Sequence, residues 1–468
     1  MKLVDFDHPV RASWFAEQGY RLDPGPYISE MFAARKFLAR VPRTDLLGDI
    51  TEDIFHAGRA ARSYTTNREY GIPFLGSADI FEADLSYAPL IAKGSAHDVE
   101  RVKLRPGWTL ITCSGMTAGR VTYSRLEMDG YACSQHVMRV IPDRSKVPAG
   151  YLYTFLASPF GIPMIKGGIY GTSVKHIEPS HIVDLPVPRV GVEVERRIDS
   201  LIQEAMQLRY QFQTEIVAAT RDVFESAGLP ELLDLRWHDQ PRDIDFSVTG
   251  ITAASLRALN YIPRAQRIID KIKAVPHRAL GEICAGGRFS RGLRFKRIDS
   301  DPQHGIKLVG QRQGFWLKPV GRWISQAEDI VDVTVPDETV LLAARGTLGE
   351  SEVYCRAIFV THRWAGYAYT DDFIRIRSGR VDFPNPFLFA FLRSEAAFRM
   401  LRMTSSGSKQ QDMHEQFRRE IPVPVCTQAD RERIADTVRN AFRLREEADL
   451  KEDKALALLT EAVREAAG

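Results

Sequence analysis

His176 and Glu178 stand two residues apart, the H-x-E spacing in which zinc deaminases set a metal-ligating imidazole beside a carboxylate that moves protons. The other ligands of that chemistry come from a PCxxC segment. None follows, so deamination is excluded. Glu452-Asp453-Lys454 has the charges of a nuclease triplet, but it lies in a helix-patterned stretch of mixed charge, where a solvated helix face is predicted. The glycines of GIPMIKGGIYGTS (161–173) resemble a phosphate cradle, yet the chain lacks GxxxxGK followed by Ser or Thr. It also lacks the NPPY or DPPY tetrapeptide with which amino-methyltransferases grip a flipped base. Cys113, Cys133, Cys284, Cys355 and Cys426 form no CxxC pair, so neither a zinc site nor a disulfide framework is expected, and a reducing cytoplasm fits. No catalytic residue, cofactor or metal is therefore expected, and the chain is read as a non-enzyme.

What the sequence does offer is cations, hydroxyls and glycines in polar loops. GGRFSRGLRFKR (286–297) sets Arg288, Arg291, Arg294, Lys296 and Arg297 within ten residues. Such local charge attracts phosphate, and guanidinium groups also grip guanine edges. Gly171-Thr172-Ser173-Val174-Lys175 and Gly407-Ser408-Lys409-Gln410-Gln411 supply backbone N–H groups, hydroxyls and a cation, a composition suited to phosphate anchoring. Arg120 and Arg345 flank two similar turns, the second carrying Thr347, and Tyr170 is placed to stack or to pack. Solvated surface charge is the competing explanation for the cations, and a structural turn for the loops. The whole chain is nearly neutral, with 63 basic and 60 acidic residues and a formal charge of +3. Binding to nucleic acid must then rest on local patches.

The elements that must position these loops occur twice. Adding 236 to a position in the first half lands on its partner. Phe155 and Leu156 map to Phe391 and Leu392, Ser158 to Ser394, and Gly171 to Gly407. Pro186 and Pro188 map to Pro422 and Pro424, Ile198 to Ile434, Ala205 to Ala441, Leu208 to Leu444, and Arg209 to Arg445. Earlier landmarks pair at slightly different offsets: LLGDI with ALGEI, YGIPFLG with HGIKLVG, and GWTLITCSGMTAGR with DETVLLAARGTLGE. Their shared order argues against chance similarity of amphipathic segments.

Each half is predicted to run through a helical lead-in, β-like runs such as TLITC, HVMRVI, TVLLAA and AIFVTH, and a helix near 148–160 or 385–404. A Gly/Ser loop, a proline turn and a long helix then close it. The long helices are expected near 191–226 and 427–466. In the first, Ile198, Ile202, Ala205, Phe212, Ile216, Ala219 and Val223 recur at spacings of four and three, with Arg209 in one slot. In the C-terminal helix a looser register is expected through 445–454. Arg209 and Arg445 are each expected beside the other long helix or a partner, because a guanidinium on an apolar stripe needs a carboxylate, a carbonyl or a path to solvent.

This double set resembles the specificity subunits of type I restriction–modification systems over nearly the whole chain. The resemblance rests on GWTLITCSGMTAGR and ETVLLAARGTLGE, and on the Gly/Ser loop followed by a proline turn and a long helix, present twice. It implies an α+β, pseudo-twofold duplicated chain. Two mixed α/β target-recognition domains (1–190, with a lead-in over 1–45, and 229–426, with a lead-in over 229–279) are each followed by a spacer helix (191–228 and 427–468), the helices pairing as an antiparallel coiled coil. It also implies a cytoplasmic, non-catalytic protein that reads a bipartite double-stranded DNA target and directs a DNA methyltransferase subunit, with a restriction or translocase subunit as a further candidate partner. The implied DNA-binding residues are Arg120, Tyr170, Thr172, Ser173, Lys175, Arg288, Arg291, Arg294, Lys296, Arg345, Thr347, Ser408, Lys409 and Gln410. The long lead-in and near-neutral charge leave room for a divergent phage-defence system. The alternative is a protein–protein scaffold that kept the duplicated fold without reading sequence. No apolar run is long enough for a membrane span, and no signal peptide is expected at the N-terminus.

Overall fold

Thr109–Thr112 and Val137–Pro142 are buried along almost their whole length, the pattern of strands inside a sheet, and they pair antiparallel at the centre of one. With Thr51–His56 (β1), Thr109–Thr112 (β2), Val121–Tyr123 (β3) and Val137–Pro142 (β4), the sheet has the order β1-β4-β2-β3, antiparallel throughout. Another sheet repeats it. Arg288–Arg291 (β5), Thr339–Ala343 (β6), Ala357–Val360 (β7) and Phe373–Arg377 (β8) take the order β5-β8-β6-β7, again antiparallel.

This is a computed structural model, and it describes all residues except 1–9, 18–19, 23–24, 29, 59–61, 96–98, 172–174, 234, 320 and 327–331. Two units emerge. The first comprises Met1–Phe81, Ala88–Tyr210 and Glu447–Gly468; the second comprises Glu82–Tyr87 and Gln211–Glu446.

The duplication is visible in backbone pairing as well as in sequence. Arg139 lies opposite Phe55 and Leu110, and Arg375, at the offset of 236, lies opposite Ser290 and Leu341. The parallel pair Phe74–Ala132 is matched by Leu308–Ala368. The antiparallel pair Thr44–Leu46 with Pro186–Pro188 is matched by His277–Ala279 with Pro422–Pro424. The chain is an α+β, internally duplicated protein, and each repeat closes with a long helix: Val192–Ser226 (α1) and Gln428–Ala467 (α2). Among the described residues no helix is long and apolar enough to cross a membrane.

The stripe predicted on α1 is the buried one: Ile198, Ile202, Ala205, Arg209, Phe212, Ile216, Ala219 and Val223 are all buried. The helix stops where Gly228 takes a left-handed φ of 72°, the residue type that adopts this conformation without steric cost. In the first unit Ile198, Ile202 and Met206 share a core with Ala455, Leu459 and Val463, so the start of α1 meets the end of α2. In the second unit Phe212, Ile216 and Val223 share a core with Ile434, Val438 and Phe442, so the end of α1 meets the start of α2. The helices therefore pair antiparallel. Phe442 is ringed edge-on by Phe212, Phe359 and Phe389 at 5.1–5.4 Å, contacts that add to area burial.

The seam of α2 is not looser through 445–454. Arg445, Ala448, Asp449 and Ala455 continue its buried face, so polar side chains carry the seam where the apolar stripe is interrupted. Glu452 is not on a solvated face either. Its side chain is 10% exposed and accepts from Arg209, while Asp453 and Lys454 are exposed.

Close approach of backbones fixes one glycine. A Cβ on Gly150 would stand 2.8 Å from the Ile202 Cβ and 3.0 Å from the Asp199 Cα on α1. The Gly150 N–H also donates to Asp199 Oδ1 at 2.6 Å. Gly150→Ala is expected to push α1 outward and to lower stability by about 1–3 kcal/mol, the usual cost of overpacking. Urea melts of the variant and wild type measure it, and an unchanged midpoint would show that the helices separate without cost.

Candidate nucleic-acid interface

Within the first unit, β2 ends in a turn that returns to β3. Thr112 N–H donates to Arg120 O at 2.9 Å, and Gly119 N–H to Thr112 O at 2.8 Å. The turn needs Gly115 and Gly119, both at left-handed φ. The polar loop closes onto it. Tyr170 and His176 exchange backbone hydrogen bonds of 2.8 Å, Ser114 bridges to His176, and Gly115 N–H donates to Lys175 O at 3.1 Å. Arg120, Tyr170 and Lys175 are thus brought to one end of the sheet. Lys175 is exposed. Tyr170 is 39% exposed, with its ring edge-on to His176 and His181. The half-buried Arg120 guanidinium lies 4.1 Å over the Phe81 ring. Burial pulls its pKa down to about 10, still high enough to keep it charged at pH 7. Thr172 and Ser173 lie outside the described residues.

The second unit repeats the arrangement with different side chains. Ser405–Ser406 pairs with Asp412–Met413, and Gln411 N–H donates to Gly346 O at 2.8 Å, tying the 407–411 loop to the turn after β6. Gly407 has a φ of 90°. Arg257 anchors the loop from outside through Gly407 O at 2.8 Å and Gln411 Oε1 at 2.7 Å. Ser408, Lys409 and Gln410 are exposed, as is Thr347 on the adjoining turn.

The arginines of the basic run are largely committed to carboxylates. Arg288 grips Asp332 with both terminal nitrogens, at 2.6 and 2.5 Å. Arg291 pairs with Asp412 at 2.5 Å and donates to Ala344 O at 3.2 Å. Arg345 bridges Asp371 and Asp372 at 3.1 and 3.0 Å. Arg294 holds Asp371 through Nε at 2.9 Å, with most of its side chain in solvent, and Lys296 is exposed. Burial raises the Asp371 pKa, but hydrogen bonds and charge from Arg294 and Arg345 outweigh it and hold the carboxyl below the usual range. Counting cations along the sequence missed these partners, because Asp332, Asp371 and Asp412 lie far along the chain from the basic run. An arginine fixed by one carboxylate is pre-oriented, and its remaining N–H donors can still meet phosphate or a base edge.

Spacing along the chain signals only His176 and Glu178 of a cluster that folds together in the first unit. His56, the last residue of β1, donates from Nε2 to Glu178 Oε2 at 2.7 Å, and His176 from Nε2 to Oε1 at 2.7 Å. Among the described residues these three form the group able to hold a metal ion. Burial raises the Glu178 pKa, and the two imidazoles lower it by more, so the carboxyl sits below its ordinary value. His56 is 120 residues from His176, so only the fold reveals the cluster.

No known protein family and no curated protein is matched by the sequence. In structure the chain is similar to solved proteins. The S subunit of a type I restriction–modification system from M. genitalium is 13% identical, with 91% of this chain and 95% of that chain covered and a TM-score of 0.33. The HsdS subunit from Thermoanaerobacter tengcongensis is 12% identical, with 91% and 97% covered and a TM-score of 0.29. A chain from a structure describing complex assembly and conformational transition of the type I R-M system is 14% identical, with 91% and 98% covered and a TM-score of 0.28. At these scores the superpositions are loose, and the fold stands on the duplicated strand pairing within this chain.

Proposed function

We propose that this chain is a DNA-specificity subunit of a type I-like restriction–modification or related phage-defence methylation system. Residues 1–190 and 229–426 act as two target-recognition domains, and 191–228 and 427–468 as spacer helices. The observation that carries this reading is the repeated polar loop, tied in each repeat to a glycine-bearing turn at one end of a four-stranded sheet. Two equivalent loops on one chain suit a target in two halves. Their side chains differ, with Lys175 standing where the second repeat has Gln411, as two different half-sites require.

The mechanism is positional. Phosphate contacts from Lys175, Lys409, Lys296 and the backbone N–H groups of the two loops set the register on duplex DNA. Arg120, Tyr170, Arg288, Arg291, Arg294, Arg345, Thr347, Ser408 and Gln410, with Thr172 and Ser173, supply further contacts to phosphates and base edges. A partner methyltransferase subunit, and in some assemblies a restriction subunit, then acts on the DNA so held, in the cytoplasm. The chain itself performs no chemistry. The alternative, a scaffold that reads no sequence, draws on the carboxylates that neutralise the basic run.

Salt dependence separates the two. Lys175→Ala and Lys409→Ala are each expected to weaken duplex binding without changing the preferred sequence. Each should flatten the plot of log affinity against log salt by about 0.9, the value for one lost phosphate contact. Fluorescence anisotropy with the assembled complex between low and moderate salt measures it. An unchanged slope in both variants favours the scaffold.

A further inference from the structure

We propose that His56, His176 and Glu178 form a binding site for one divalent transition-metal ion of the zinc class. This revises the expectation of no metal, which rested on the scattered cysteines and the missing PCxxC segment. It is independent of the DNA-specificity reading.

Two separate pieces of chain deliver the donors: the end of β1 carries His56, and the segment between the backbone bridge at His176 and the turn Pro179–His181 carries His176 and Glu178. One ligand atom from each lies within 4.8 Å of the others. Two imidazole nitrogens and a carboxylate suit zinc, iron(II) or cobalt(II), and the lack of a thiolate disfavours copper(I). Bonds of about 2.0–2.2 Å place neighbouring ligands roughly 3.3 Å apart around a tetrahedral ion. Small side-chain rotations reach that geometry from the present one. The ion would take the place of the two hydrogen-bonding protons on Nε2. Each neutral imidazole then carries its proton on Nδ1 and gives the Nε2 lone pair to the metal. All three side chains are about one-third exposed, so a remaining coordination position faces solvent and is open to water or an anionic oxygen.

The supporting contacts fix the ligands rather than the ion. The Glu178 N–H donates to His181 Nδ1 at 3.3 Å. The Tyr170 hydroxyl stands 3.4 Å from Glu178 Oε1, and its ring meets His176 edge-on at 5.8 Å.

The second repeat gives an internal comparison. His56 lies opposite Met138, and Arg291 lies opposite Ile374, the residue 236 further on. The Tyr170–His176 bridge corresponds in the same way to Ser406–Asp412. His56 and His176 therefore occupy the places of Arg291 and Asp412, which form an ion pair at 2.5 Å. Where one repeat balances its own charges, the other turns two imidazoles toward one carboxylate, a set that a cation completes.

The test uses the full chain, stripped of metal by chelator and titrated with Co²⁺, then Zn²⁺. One equivalent of Co²⁺ should bind with visible d–d absorption, and Zn²⁺ should abolish the bands. H56R combined with H176D transplants the ion pair of the second repeat. It should keep the wild-type circular dichroism spectrum and lose the cobalt bands. E178Q keeps the shape of the carboxyl and should weaken Co²⁺ binding by about tenfold or more. Failure of the wild-type chain to bind Co²⁺ would overturn the proposal. So would cobalt bands that persist in H56R/H176D, or an unchanged affinity in E178Q, since the ion would then sit among others of the 11 histidines.

Discussion

Arg209→Ala is expected to destabilise the first unit by about 3–5 kcal/mol, the cost of removing one partner from a buried ionic group. Arg209 is 1% exposed. Its Nη2 donates to Asp449 Oδ1 and to Glu452 Oε1, each at 2.8 Å, and its Nε to Glu452 Oε1 at 3.0 Å and to the Tyr123 hydroxyl at 3.1 Å. The Tyr123 hydroxyl donates in turn to Glu452 Oε1 at 2.6 Å. Burial, then the Glu452 charge, pushes the Tyr123 phenol well above its ordinary pKa, so it stays a donor. Alanine removes the cation and leaves a fully buried Asp449 beside a nearly buried Glu452. Chemical denaturation at pH 7 reads the loss. The same principle predicts rescue: Arg209→Met combined with Asp449→Leu and Glu452→Gln should recover most of it, because no charge is then stranded. A loss below about 1 kcal/mol in the single variant would place Arg209 among weak surface pairs instead. Arg445, its counterpart in the second unit, uses a different solution: it donates to the carbonyls of Trp316 and Leu317 and lies 4.1 Å over the Trp364 ring.

Another large effect is pH-dependent. Residues 82–87 belong to the second unit, where Arg393 Nη2 donates to Asp84 Oδ2 at 2.7 Å. The Arg356 guanidinium lies 3.6 Å over the Tyr87 ring, and Glu82 pairs with Arg312 at 2.6 Å. Burial raises the Asp84 pKa, but the charge of Arg393 and hydrogen bonds from Ser86 and Arg393 outweigh it and bring the carboxyl down to about 2. A folded value below the unfolded one means the stabilisation is fully present above about pH 4 and is lost as pH falls through about 2. The shift corresponds to about 2 kcal/mol. Asp84→Asn should therefore cost about that much at pH 7, and the gap to wild type should narrow as acid is added below pH 4. Denaturant midpoints of the two proteins across that range measure it. A gap that stays constant with pH would mean the Arg393 pair is not its source.

Elements with a strong period were legible in the sequence. The α1 stripe from Ile198 to Val223 announced its helix because one face is apolar, and the short run TLITC announced a strand buried on both faces. The repeat was legible because Gly171 and Gly407 sit at left-handed φ, which favours glycine, and because Pro186 and Pro422 recur at the same offset, although they open short paired strands rather than the turn expected of them. Polar burial was legible at Arg209, which fills a slot of the apolar stripe, but not at its carboxylate partners. Glu452 read as solvated charge and nothing marked Asp449 for burial, since a carboxylate signals burial only through a partner, and Arg209 is more than 200 residues away. The same holds for Asp332 and Asp412, which occupy Arg288 and Arg291, and for His56, which joins His176 and Glu178 only after β1 and the 170–176 loop have folded.

The central claim is that this chain selects the DNA sequence on which a partner acts. Sequencing of modified bases in the genome of the source organism, with and without this gene, tests it most directly. One methylated motif is expected to disappear on deletion, a motif of two short specified sequences separated by an unspecified spacer, and to return when the gene is restored. A methylation pattern identical in both strains, with the partner methyltransferase expressed, would contradict the claim.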